Sequence, residues 1–417
     1  MNIYNPKNSK QLLIYVNPGF TGVHGYYKNH ATKFLNEINK VGVALLHLTN
    51  KKLDLDLAIK YKVSLAYSLR PHLTLSSEES TRSSISEEFY NKMMEVFQRS
   101  DVRAYEKIYL YMYSGHPLYA AVLSKVFNEL HVKAKAYINF LYNEKDLGEI
   151  NESTELAKSF KEWGKILQEN DKEEQVVLSV DCPQARELYL DFLGREIRLL
   201  PAGCALARYL KDIVRDKIRY VLKFRSLNVL YMGYPHRKYG YKLVKSLYDD
   251  TKDLGLYYHI RHQDAHLERD HKETREEWLK QDYKIDHYTG FIDEDKYNKL
   301  IRNSEIVIIP YLKEEYPYQT SGVFIEALSM NNVIIATKGT WFGNVVERLG
   351  VGEVFESNND ESLKIAMRKV IKDYKIYKKK AITHGARYRE YWSMKNLFSY
   401  IGLLDKNNVT KLIDDVY

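Results

Sequence analysis

At 417 residues the chain is too long for one ordinary core and predicts about two to three domains. With 28% charged residues, no apolar run near the roughly 20 residues of a membrane-spanning helix and no signal-peptide arrangement at its start, it reads as a cytoplasmic chain and not as a helical integral membrane protein. Two cysteines, Cys182 and Cys204, exclude a disulfide framework or a cysteine-rich metal site, and a net charge of +8 without a nucleic-acid motif favours anionic membrane faces or acidic ligands over nucleic acid.

Leu12 to Val16 is a short apolar run of the kind that forms a buried parallel strand, and it ends in the turn-rich loop Asn17-Pro18-Gly19-Phe20-Thr21-Gly22. Helical spacing from Tyr27 to Val41, closed by Gly42, leads to a second strand at Val43 to Leu48. This βαβ opening predicts a parallel sheet covered by helices and puts His24 in the loop where such folds bind ligands. Serine-rich Ser76 to Ser86 reads as a solvated loop and Glu87 to Arg99 as a helix. Lys107 to Tyr113 is a strand that runs into the loop Ser114-Gly115-His116-Pro117, with a helix after it through Leu130. Lys135 to Leu141, Val176 to Val180 and Ile197 to Leu200 continue the alternation.

Residues 205–225 read as a basic helical connector, after which the pattern restarts. Asn228 to Met232 is a strand followed by Gly233 and a basic turn, and a helix opens near Tyr241. Tyr257 to Ile260 and Tyr288 to Phe291 read as strands, Asp295 to Arg302 as a helix, and the charged stretch between them as surface. Helices are predicted at Glu361 to Lys379 and Tyr388 to Leu404. The division is therefore 1–204 for a first domain, 205–225 for the connector, 226–390 for a second domain and 391–417 for terminal helices that pack back on the first.

Tyr316 to Gly350 carries the chemistry. The strand Glu305 to Pro310 leads into a loop with Ser321-Gly322, a helix from Val323 to Met330, a β-branched strand from Val333 to Ala336 and a turn at Gly339. A loop entering a helix N-terminus after a buried strand gathers unpaired backbone N–H groups and the positive end of the helix dipole at one spot, which suits a phosphate. Glu326, one turn into the helix, can reach a hydroxyl-rich group there, so the stretch predicts a site for a sugar attached to a phosphate.

Three runs, NVLYMGYPHRKYGY, HYTGFIDEDKYNKLIRNSEIVIIPY and SGVFIEALSMNNVIIATKGTW, resemble in order the donor half of the retaining GT-B glycosyltransferases of the group 1 or family 4 type, enzymes of polysaccharide and lipid-glycan synthesis. The resemblance implies a GT-B fold: α/β, two facing Rossmann-like doubly wound domains with an interdomain cleft. It also implies transfer of a sugar from a nucleotide-diphosphate donor, a co-substrate and not a cofactor, to a glycan or lipid-linked acceptor, with retention and without metal. By that resemblance Gly233, Thr320 and the amides of Ser321, Gly322 and Val323 meet the donor, Glu326 contacts its ribose, and Arg237 and Lys238 neutralise the departing diphosphate. His116 corresponds to a first-domain histidine near the reacting sugar, and Gly22, His24, Gly25 and Tyr26 form the acceptor-side loop.

Two departures stand out. Tyr318 occupies the place of the family's other glutamate, and His236 and Tyr239 stand where arginine and lysine are usual, each one residue from Arg237 and Lys238. A catalytically silent relative and a sugar-nucleotide epimerase are the alternatives. The remaining expectations are no metal and peripheral association with an anionic inner membrane face.

Overall fold

The computed structural model describes residues 3–5, 8–17, 33–38, 40–49, 79–140, 155–221, 227–232, 240–251, 254, 256–261, 285–288, 294–316 and 320–405. The chain divides into two compact units, Met1–Gly203 with Met394–Val409 and Cys204–Ser393 with Thr410–Tyr417.

In the first unit the strands are β1 (Gln11–Asn17), β2 (Ala44–Thr49), β3 (Lys107–Gly115), β4 (Ala134–Phe140), β5 (Val176–Val180) and β6 (Ile197–Leu199), and the helices α1 (Glu79–Gln98), α2 (Ser100–Arg103), α3 (Pro117–Leu130), α4 (Glu155–Asn170) and α5 (Pro183–Leu193). All neighbours pair in parallel in the order β2-β1-β3-β4-β5-β6. The chain thus starts inside the sheet, steps to one side and returns to the other, which makes β1/β3 the topological switch point. The near-continuous apolar character of β1 and β5 follows from burial on both faces.

The second unit opens with α6 (Leu210–Val221) and contains β7 (Leu227–Tyr231), α7 (Tyr241–Thr251), β8 (Leu256–Arg261), β9 (Ile285–Tyr288), α8 (Glu294–Asn303), β10 (Ile306–Ile309), α9 (Gly322–Ser329), β11 (Val333–Thr337), α10 (Trp341–Leu349), β12 (Gly352–Phe355), α11 (Asp360–Lys372) and α12 (Tyr374–Tyr391). Its sheet is also parallel, in the order β12-β11-β10-β7-β8-β9. Read from β9, this is the 3-2-1-4-5-6 order of doubly wound nucleotide-binding sheets, with its switch point between β7 and β10. Val229, Tyr231, Val244, Leu247, Ile306, Ile308, Ile335 and Met367 form the core on one face of that sheet. The last helix, α13 (Met394–Tyr400), belongs to the first unit, where Phe398 meets Phe34 edge-on at 5.2 Å.

Several boundaries differ from the sequence expectation. Helix α1 begins at Glu79, eight residues before the predicted start at Glu87, so part of the serine-rich stretch is helical. Ile85, Phe89, Met93 and Val96 form its buried stripe at helical spacing, and the serines lie beside that stripe. Strand β9 covers Ile285–Tyr288, paired with Tyr258–Arg261, and so begins before the expected start at Tyr288; the rest of the expected strand, 289–291, lies outside the described residues. The stretch expected to be one helix from Glu361 to Lys379 breaks at Asp373, and the terminal one breaks between Tyr391 and Met394.

Candidate functional site

At the switch point of the second unit, β10 ends in Pro310-Tyr311-Leu312 and the chain enters α9 through Thr320 and Ser321. Ser321 is the N-cap: its backbone is extended (φ −100°, ψ 114°) and its buried Oγ accepts the Phe324 N–H at 3.2 Å, while its carbonyl accepts the Ile325 N–H at 3.1 Å. The next two amides, Gly322 and Val323, occupy the first helical positions, whose N–H groups have no acceptor within a helix, and both residues are half-buried. The hydroxyl is therefore committed to the cap, and what the loop offers a ligand is backbone N–H at the positive end of the helix. Thr320 is half-buried beside them.

Helix α9 is apolar apart from Glu326 and Ser329, and it buries Phe324 through Ser329. Glu326 is 4% exposed, and its Oε2 accepts the Tyr297 hydroxyl of α8 at 2.5 Å. A buried carboxylate is costly unless hydrogen-bonded, and Tyr297 contributes to meeting that requirement while fixing the direction of the carboxylate. Tyr297 lies within one of the quoted motif runs, yet nothing in its spacing gave it a role.

The segment from Gly233 to Tyr239, with His236, Arg237 and Lys238, lies outside the described residues, as do Tyr318 and the loop with Gly22, His24, Gly25 and Tyr26. The flank of the basic segment is described. Gly240, at φ +65°, lies so close to the end of β10 that an added Cβ would come 2.0 Å from the Pro310 carbonyl oxygen and 2.8 Å from the Pro310 Cβ. Backbone thus meets backbone across the switch point, a packing only glycine permits. The start of α7 is thus packed on the end of β10, whose parallel neighbour is β7, so the carboxyl ends of β7 and β10 are adjacent.

In the first unit, β3 runs through Gly115 and His116 caps α3 directly, with no intervening loop. Its Nδ1 accepts the Leu118 N–H at 3.0 Å, which leaves the proton of the neutral ring on Nε2. The ring is fully buried, edge-on to Trp163 at 4.9 Å and to Tyr119 at 6.3 Å. Capping is the role the described contacts give it.

Three polar residues at the same carboxyl edge escaped sequence reasoning: Asn139, Ser179 and Asp181, all buried. Ser179 Oγ donates to the Ile138 carbonyl at 3.1 Å and lies 3.2 Å from Asn139 Oδ1. Their signal was polar letters at the carboxyl ends of β4 and β5, Asn139 and Ser179 within the strands and Asp181 just after β5. Deeper in that sheet Tyr15 stacks on Phe34 and His47, with ring centroids at 4.2 and 5.0 Å. Burial alone pushes the His47 imidazole down to about 4. Burial, with the charges of Tyr15 and Asp181 added, holds the Tyr111 phenol well above its ordinary range, so it stays protonated. Among the described residues no group of three or more His, Cys, Asp or Glu side chains has metal-site geometry. Nor is any described helix long and apolar enough to cross a membrane.

Residues 269–387 match the family model described as "Glycosyl transferases group 1". No curated protein matches the chain in sequence. Solved structures do match in shape. A glycosyltransferase from Rickettsia africae superimposes with a TM-score of 0.64 at 15% identity, over 95% of this chain and 99% of that one. HepE from Anabaena, solved with UDP, gives 0.61 at 10% identity over 93% and 98%. UDP-GlcNAc 2-epimerase from Neisseria meningitidis, bound to UDP-GlcNAc, gives 0.58 at 10% identity over 94% and 99%. With two parallel, doubly wound Rossmann-like units and a group 1 glycosyl transferase match across the second of them, the fold of this chain is GT-B.

Proposed function

We propose that the chain is a nucleotide-sugar glycosyltransferase whose second unit holds the donor. The observation that carries this is the Ser321-capped start of α9 at the β7/β10 switch point, with the buried, Tyr297-bound carboxylate of Glu326 one turn further on. Such a start takes a diphosphate on backbone N–H, and a carboxylate one turn on suits a ribose or sugar hydroxyl.

Breaking the glycosidic C–O bond builds negative charge on the departing diphosphate. Fixed dipoles aimed at that charge lower the barrier most when water is excluded. In this reading Gly322 and Val323 supply the N–H groups, and Arg237 and Lys238 the cationic side chains. The acceptor is a glycan or lipid-linked sugar, its loop Gly22 to Tyr26 and its site near His116. Transfer proceeds with retention and without metal, the leaving diphosphate helping to deprotonate the acceptor hydroxyl on the same face of the sugar. The cellular setting is polysaccharide synthesis on the cytoplasmic side of a membrane.

The likeness to a nucleotide-sugar 2-epimerase favours one second reading, isomerisation of the donor sugar with no acceptor. The test is a panel of UDP, GDP and ADP sugars, each with and without glycan and lipid-linked acceptors. Acceptor-dependent nucleoside diphosphate release that Glu326→Ala abolishes is the expected result. An epimerised sugar nucleotide in the acceptor-free reaction refutes transfer, and donor binding without turnover on any acceptor points to a silent relative.

A further inference from the structure

We infer that α6 is a membrane-docking helix that seats the second unit on an anionic bilayer surface. Its inner side is tied down. Asp212, 1% exposed, accepts the Tyr209 N–H at 2.9 Å and Arg302 Nη1 at 2.5 Å, and Arg215 reaches Asn303 Oδ1 at 2.7 Å. Arg302 also donates to the Ala207 carbonyl at 2.6 Å and lies over the Tyr209 ring at 4.7 Å. Helix α6 is therefore riveted through Asp212 and Arg215 to the last turn of α8.

The outer side is apolar and open. At 3.6 residues per turn Leu210 and Val214 each point about 160° away from Asp212. Leu210 is 76% exposed, and Ile213, Val214 and Ile218 are exposed beside it. Exposed Lys211 borders this stripe, and exposed Lys217, seven residues after Leu210, lies within it. Long lysine stems lie along an apolar surface and lift their ammonium groups to its edge, as they do at a lipid headgroup layer. Residues 205–225 hold seven Lys or Arg against two Asp, and with the Arg215–Asp212 pair cancelled six basic residues remain against one acidic. Charge complementarity thus selects an anionic surface.

The stripe's size argues against a second copy of the chain. A helix of 12 residues is ~18 Å long, and one face of it offers far less than the ~800 Å² per partner of a stable protein interface. A bilayer needs no complementary shape, and apolar side chains among cations are what binds it. This inference stands on α6 and α8 alone and is independent of the transferase reading.

The test is co-sedimentation of the full-length protein with vesicles of phosphatidylglycerol and phosphatidylcholine, against phosphatidylcholine alone. The wild type should bind the anionic vesicles. Lys211→Glu/Lys217→Glu should weaken binding by about 30-fold or more, given ~1 kcal/mol for each basic residue at such a surface. Leu210→Glu/Val214→Glu/Ile218→Glu should do so by at least about tenfold, through loss of apolar insertion. All five substituted positions are exposed, so circular dichroism and melting temperature should stay at wild-type values. As a control, Lys375→Glu/Lys379→Glu/Lys380→Glu on exposed positions of α12 should keep vesicle binding. Absence of wild-type binding, equal loss in the α12 variant, or a dimer in light scattering that the leucine–valine–isoleucine variant dissociates would each overturn the inference.

Discussion

Gly240 offers a direct test of how the proposed donor site is built. At φ +65° any L side chain pays roughly 1–2 kcal/mol for the left-handed backbone. Its Cβ would also lie 2.0 Å from the Pro310 carbonyl oxygen, and pushing backbone from backbone adds about 1–3 kcal/mol. Gly240→Ala should therefore destabilise the second unit by about 2–5 kcal/mol and lower its melting temperature by about 5–15 °C. Gly194 is the control, because it has φ +60° but its added Cβ would meet only the Gln168 amide nitrogen at 3.5 Å. Gly194→Ala should cost the backbone component alone, about 1–2 kcal/mol. Thermal unfolding followed by circular dichroism, with donor affinity measured by calorimetry, separates the two. Equal melting temperatures for both variants, or unchanged donor affinity in Gly240→Ala, would refute the claim that the close approach at Pro310 shapes the site.

The same structure makes further predictions. Ser321→Ala removes the cap of α9 and should cost about 1 kcal/mol in urea unfolding, whereas Ser321→Asn should restore most of it. Tyr297→Phe withdraws a donor from a buried carboxylate, costing about 1.5–3 kcal/mol, and should raise the donor Kd where Glu326 contacts the ribose. His47 has its imidazole depressed from 6.5 to about 4, so the unfolded chain binds the proton more readily. Its contribution is complete above pH 6.5 and is lost as pH falls towards 4, about 2 kcal/mol between pH 7 and pH 5, and His47→Phe should flatten that part of the stability–pH profile.

Much of the fold was legible because parallel strands buried on both faces are written as near-continuous apolar runs. Val176 to Val180 matched the observed strand, and Leu12 to Val16 lies within β1. What failed were boundaries set by tertiary packing. Ile85 draws the polar stretch before it into α1, and pairing with β8 starts β9 at Ile285, before the apolar letters that suggested a start at Tyr288. Helix α10 and strand β12 follow the turn at Gly339, where Thr340 caps α10 by accepting the Gly343 N–H at 3.0 Å. The Thr-x-x-Gly spacing gives that cap no strong letter pattern.

The candidate site was legible where chemistry follows the backbone. Ser321-Gly322 reads as a helix start, and it is one. Side-chain partnerships were not, since the residues that complete them are remote in sequence: Tyr297 on Glu326 lies 29 residues away, and Gly240 packs on Pro310. His116 carries a role the letters did not show: its Nδ1 accepts the Leu118 N–H and caps α3, a contact separate from its proposed place near the acceptor.

The proposed donor site requires a diphosphate held by the N-terminal amides of α9. A crystal structure of the protein with a nucleoside diphosphate bound measures that directly. It should place diphosphate oxygens within hydrogen-bond distance of the Gly322 and Val323 nitrogens and the ribose against Glu326. A nucleotide bound away from the β7/β10 switch point, with those amides facing water, would contradict it.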